Sequence, residues 1–167
     1  VFPDNGQRFG KPAIYGAYLL LSTETGEPLA LLDASRLTVL RTAAASALAS
    51  RFLSRADASR LLLIGAGALG PYLVRAHASV RPIREVSVWN RTPENAARLV
   101  ATLGRLGIDA TVAADLESAA RSADIVTTAT ISPTPDALIL SPSRNRFATS
   151  KWRPTLLASL FSFRTRS

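Results

Sequence analysis

The chain has no cysteine, no methionine and a single histidine, His77, among its 167 residues. Without cysteine there is no disulfide framework, no thiolate metal site and no cysteine nucleophile. One histidine excludes a multi-histidine metal centre within the chain. No run of about 18 apolar residues is present, so a transmembrane helix and a membrane partner are not expected. The opening Val1-Phe-Pro3 has neither the basic nor the apolar part of a secretory signal, and the expected compartment is the cytoplasm. A methionine-free chain that opens on Val1 reads as one whose N-terminus lies inside a longer protein.

What is present suffices for a folded core, with 47% hydrophobic and 19% charged residues. The net charge of +8 invites a nucleic-acid partner, but its distribution argues against one. Arg144, Arg146, Lys151, Arg153, Arg164 and Arg166 stand against one acid, Asp136, after Ser132, so the tail supplies most of the excess.

Three regions differ in character. Residues 1–55 contain two apolar runs, Tyr15-Gly-Ala-Tyr-Leu-Leu-Leu-Ser22 and Leu29-Ala-Leu-Leu-Asp33, around the polar turn Thr23-Glu-Thr-Gly26, which predicts a hairpin. A helix is predicted from Thr42 to Arg51, where alanine dominates. Residues 56–131 alternate strand and helix patterns: strands at 61–64, 85–89, 110–113 and 124–129, helices at 68–79, from Thr92-Pro93 towards Leu103, and at 115–121. That rhythm implies α/β architecture with a parallel sheet and right-handed crossovers. Residues 132–167 form a basic tail without glycine, in which no further strand is recognisable.

The chemistry concentrates at the first strand–helix turn. Gly65-Ala-Gly67-Ala68-Leu69-Gly70 is a full G-x-G-x-x-G that follows an apolar strand and opens a helix, the context of a dinucleotide fingerprint. Gly65 serves the tight turn, Gly67 the approach of a pyrophosphate, and Gly70 the close packing of the helix, whose N-terminus offers N–H groups to phosphate. The second strand ends in Asn90-Arg91-Thr92 rather than in the carboxylate that reads an unmodified ribose. Asn90 does not repel a phosphate and Arg91 pairs with one, so NADP(H) is preferred, with NAD(H) possible. Thr130, after the fourth strand, is the better candidate for cofactor contact there, while Thr127 and Thr128 suit a buried strand equally well. His77, near a helix end, is read as serving the helix dipole.

The run Thr38-Val-Leu-Arg41-Thr42-Ala-Ala-Ala-Ser46-Ala-Leu-Ala resembles the L-R-T-A-A-x-S-A-x-A signature of the ornithine cyclodeaminase/mu-crystallin family. Phe2-Pro3-Asp4-Asn5, the hairpin, the glycine fingerprint, Trp89-Asn90-Arg91-Thr92 and Ala123-Asp124-Ile125-Val126 fall in that family's order, over residues 1–131. The resemblance implies an incomplete Rossmann-type sheet preceded by part of a strand-rich substrate and dimerisation domain, and a homodimer for an intact member. It implies NAD(P)-dependent hydride transfer on a small amino or imino acid, chiefly reduction of a cyclic imino acid of pyrroline-2-carboxylate type. Cyclisation of ornithine to proline and non-catalytic NADP(H) binding are the alternatives. It assigns the substrate carboxylate to Arg41, whose planar guanidinium suits a bidentate pair, and a cofactor phosphate to Thr42 at a helix start. The family's catalytic lysine and aspartate find no counterpart. Lys11 and Asp136 stand outside those motifs, so no catalytic residue is assigned and the chain is expected to be an inactive fragment or the cofactor half of an enzyme. Many relatives carry glutamine where Leu69 stands. The tail suits an out-of-frame ending better than a nucleic-acid arm.

Overall fold

The computed structural model describes residues 2 and 4–130, together with the backbone of Thr155–Leu157. The chain divides into two compact units, Val1–Arg41 and Thr42–Ser167.

In the first unit a short helix, α1 (Asn5–Phe9), stops at Gly10, whose φ of 61° is the left-handed conformation that ends helices. Strands β1 (Ala17–Leu21) and β2 (Pro28–Asp33) then pair antiparallel, as the two apolar runs predict. All of β1 is exposed, and in β2 only Ala30 is half-buried.

Helix α2 (Ala34–Leu53) follows without a break. The Asp33 carboxylate accepts from the N–H groups of Ser35 at 2.8 Å and Arg36 at 3.4 Å, an N-cap that starts the helix here. The helix therefore begins at Ala34 and not at the expected Thr42. The β-branched Thr38 and Val39 weaken the helical signal of this stretch, which hides the true start. Arg41 and Thr42 consequently lie inside a helix, and a cation at Arg41 meets no helix-start dipole penalty. The division into units falls within α2. Thr42, Ala43, Ser46, Ala47 and Ser50 are buried, whereas composition places the break at residue 55, after the helix.

The second unit is built on a parallel sheet of β3 (Arg60–Ile64), β4 (Glu85–Trp89), β5 (Thr111–Val112), β6 (Ile125–Thr128) and β7 (Thr155–Leu157), in the order β5-β4-β3-β6-β7. The intervening helices are α3 (Gly70–Val80), α4 (Pro93–Arg105) and α5 (Leu116–Ser122). Leu61 and Leu63 belong to the cluster containing Leu73, Val74, Leu99 and Leu103, whereas Leu62 and Ile64 join Ala120 and Val126. Covering on both faces is why β3 reads as an unbroken apolar run. Pro93 and Thr92 open α4, as the Thr92-Pro93 pair predicts, and Asp115 caps α5 by accepting from Ser118 N–H at 2.8 Å, so this helix begins one residue after the expected start. β7 corrects the expectation of a tail without strands: its backbone pairs with β6, Ile125 opposite Thr155. Three residues with no flanking strand–turn–helix pattern leave no periodic signal.

At the opposite end of the strands from the glycine turn, Asp124 ties β6 to β3. It accepts from Ser59 N–H and Arg60 N–H, each at 3.0 Å, and pairs with Arg55 at 2.9 Å and Arg60 at 3.3 Å. Burial works against its charge, but the Ser59 N–H and then the Arg60 side chain and N–H hold its carboxyl below the ordinary value. Among the described residues no helix is long and apolar enough to cross a membrane.

Candidate functional site

β3 is the centre of the sheet: α3 and α4 carry the chain to β4 and β5 on one side, and α5 brings it back to β6 on the other. The strand order reverses between β3 and β6, so a crevice opens at the carboxyl ends of these strands, where open α/β sheets bind ligands. Three loops meet there: residues 65–69 after β3, 90–92 after β4 and 129–130 after β6.

The first loop is shaped by its glycines. Gly65 has φ of 104°, and a Cβ there would lie 2.5 Å from the Ala129 carbonyl oxygen and 3.0 Å from Thr130 Cγ2. No other residue fits this turn without moving the 129–130 loop. Gly70 is equally constrained by packing, with a Cβ 2.8 Å from Leu99 Cδ2 and 3.2 Å from Leu63 Cδ2, so it sets the approach of α3 to α4 and β3. Gly67 differs: its nearest neighbour is 4.0 Å from a Cβ, and the residue is exposed. Helix α3 starts at Gly70 with Leu69 as N-cap, two residues beyond the predicted start at Ala68. Gly70 N–H bonds back to Gly67 C=O at 3.0 Å, and this turn replaces the expected first helical residues. Among the described residues the N–H groups of Gly67, Ala68 and Leu69 have no hydrogen-bond partner. Three free donors at the N-terminus of an eleven-residue helix, beside open space at Gly67, fit a dinucleotide pyrophosphate. Leu69 has no polar side-chain atom, so its contribution there is its backbone.

The second loop is held to the first. Asn90 Oδ1 accepts from Ala66 N–H at 3.2 Å, while its Nδ2 donates to Thr92 C=O at 3.0 Å. The carboxamide thus bridges the glycine loop and the start of α4. The sequence pattern presents Asn90 as a neutral residue near a ribose and leaves this bridging role unseen. Arg91 is exposed and forms no ion pair among the described residues. Thr92 sits at the N-cap with φ −103° and ψ 104°, yet its hydroxyl makes no capping bond. Among the described residues, a guanidinium without an ion pair and a hydroxyl without a hydrogen bond therefore stand together at the carboxyl end of β4.

In the third loop Thr130 is half-buried beside Gly65, whereas Thr127 is wholly buried in β6. Thr127 is strand filling, with its Oγ1 unpartnered among the described residues. In the first unit Arg41 is exposed on α2; Thr42, in the second unit, is 8% exposed.

His77 is not a dipole partner. It is fully buried in α3, its Nδ1 lies 2.8 Å from Ser50 Oγ of α2, and burial lowers its pKa from 6.5 to about 4. A neutral imidazole offers a helix C-terminus no positive charge. The histidine is instead part of a clasp, continued by Arg81, which donates to Ser54 Oγ at 2.9 Å and to Ser54 C=O at 2.9 Å.

Compared with known proteins, residues 1–142 match the ornithine cyclodeaminase/mu-crystallin family. The chain belongs to that family. The match extends past residue 131, where the recognised motifs end, and takes in Asp136. A Delta(1)-pyrroline-2-carboxylate reductase of Colwellia psychrerythraea is 40% identical over 136 residues, covering 80% of this chain and 43% of that protein. The solved Delta(1)-pyrroline-2-carboxylate reductase of Thermococcus litoralis, in complex with NADH and L-proline, is similar with a TM-score of 0.72 and 32% identity, over 78% of this chain and 41% of the other. An archaeal alanine dehydrogenase dimer with bound NAD follows, with a TM-score of 0.70 and 34% identity over 78% and 40% of the two chains. The chain thus spans about two-fifths of the length of the family members it matches. The α/β parallel sheet predicted from the strand–helix alternation, and the Rossmann type implied by the family resemblance, agree with these neighbours.

Proposed function

We propose that the chain is the cofactor-binding part of an NADP(H)-preferring oxidoreductase that reduces a cyclic imino acid of pyrroline-2-carboxylate type. The observation that carries this reading is the pairing of three free loop N–H groups with the free cation Arg91, at a strand end that carries no acid. The reductase names of the relatives and the NADH and L-proline in the Thermococcus litoralis complex support the reaction class.

When bound, the dinucleotide supplies the hydride. The chain's own residues bind and orient. The N–H groups of Gly67, Ala68 and Leu69 hold the pyrophosphate with the α3 dipole behind them. Arg91 pairs with the phosphate on the adenosine ribose and the Thr92 hydroxyl adds a donor, while Asn90 fixes the loops that carry them. Thr130 flanks the nicotinamide side next to Gly65, and Thr42 takes a cofactor phosphate. Arg41 receives the substrate carboxylate as a planar, two-bond pair, which fixes the carbon to be reduced. The exposed β1–β2 hairpin, apolar at Leu19, Leu20, Leu31 and Leu32, suits a homodimer interface. A lone hairpin is marginal in water, and the alanine dehydrogenase neighbour is a dimer.

Arg91→Asp tests the cofactor reading by calorimetry: the preference should swing from NADPH to NADH, and an unchanged affinity ratio would reject it. Ligand-observed NMR with L-proline, the reduction product, tests Arg41: a signal with the native chain should disappear in Arg41→Gln, and its persistence removes Arg41 from the site.

A further inference from the structure

Beside the glycine loop, on the side of α4, lies an open cleft with Gly67, Ala68 and Pro71 on one wall and Asn95, Arg98 and Thr102 on the other. Among the described residues, Arg98 is its only charged lining residue. On helical spacing its natural partner is Glu94, four residues earlier, an orientation that favours an ion pair. That pair does not form: the Arg98 guanidinium donates to the neutral Asn95 Oδ1, and Arg98 has no ion pair among the described residues. Thr102 cannot compete for a ligand, because its hydroxyl donates to Arg98 C=O at 2.9 Å and accepts from Arg105 at 3.1 Å. An uncompensated cation thus shares a cleft with the outer side of the phosphate loop.

We infer that Arg98 is a second specificity residue for the phosphate on the adenosine ribose, acting with Arg91. The inference rests on the NADP(H) reading above. Two observations favour this phosphate over the pyrophosphate. The free N–H groups of the loop and the α3 dipole already serve the pyrophosphate. Arg98 lies on α4, the helix that leaves the ribose end of β4, and so on the adenosine side of the loop. A phosphate monoester carries a charge of about −1.5 to −2 at neutral pH, more than the single guanidinium of Arg91 offsets.

The probes are adenosine 2′,5′-bisphosphate and adenosine 5′-monophosphate, which differ only in the ribose phosphate, with NADPH and NADH alongside. Calorimetry on the whole chain compares the native protein with Arg98→Gln and Arg98→Lys. Losing one charge-assisted contact should weaken the bisphosphate and NADPH about tenfold, with the monophosphate and NADH unchanged. Arg98→Lys, which keeps the charge but not the fork, should recover part of the loss. Equal weakening of NADPH and NADH assigns Arg98 to the pyrophosphate and overturns the inference, as does no change in either. Native protein that binds no dinucleotide refutes the underlying reading; native binding with an unaffected Arg98→Gln variant refutes this inference alone.

Discussion

Acid should unclasp α2 from α3 through His77. The imidazole is fully buried against Ser50, and its pKa falls from 6.5 to about 4 on folding. A lowered folded pKa means that the unfolded chain binds the proton more readily. Stability is therefore complete above pH 6.5 and is lost as pH falls through the window from 6.5 to about 4. At about 1.36 kcal/mol per unit, the full shift corresponds to roughly 3 kcal/mol, of which about 2 kcal/mol is lost by pH 5. The loss precedes that of Asp124, whose depressed carboxyl keeps its contribution until lower pH. Urea unfolding of the chain from pH 7.5 to 4.5, followed by circular dichroism, reads the slope. His77→Asn places an amide near the Nδ1 position and removes the titration, so its stability should be flat over this window whatever its absolute value. An equally steep slope in His77→Asn would refute the assignment.

Gly65→Ala should destabilise the fold by about 3 kcal/mol or more, because a left-handed φ and a 2.5 Å approach to the Ala129 carbonyl oxygen act together, measured by urea unfolding. Gly67→Ala should leave stability within about 0.5 kcal/mol, having open space, yet weaken NADPH and NADH alike in calorimetry. Asn90→Ala removes the bond to Ala66 N–H that joins the two loops and the bond to Thr92 C=O that braces the second, and should weaken NADPH and NADH to the same degree, whereas Arg91→Asp changes their ratio. Asp124→Ala strands the N–H groups of Ser59 and Arg60 and should cost about 2 kcal/mol at neutral pH.

Much of the second unit is legible in the sequence because its signals are local. The run Leu61-Leu-Leu-Ile64 entering Gly65 and Thr92-Pro93 at a helix start each carry their own physics, and each appears where expected. The failures are of another kind. The start of α2 depends on a cap, Asp33, that also ends a strand, so one residue closes two elements and the strand reading masks the helix. The role of Asn90 depends on Ala66, distant in sequence and brought near by the β3–β4 register. Arg98 is one of three charges along α4, with Glu94 and Arg105, until the packing of Gly70 on Leu99 brings that face to the glycine loop. His77 looks like a surface residue at a helix end, because burial by α2 leaves no mark on its own neighbours in sequence.

The central claim is that this chain carries a working dinucleotide site with an NADP(H) bias, and calorimetric titration of the unmodified chain with NADPH and with NADH tests it most directly. Saturable binding of NADPH, tighter than that of NADH, is the predicted result; absence of binding by both cofactors at millimolar concentration would contradict it.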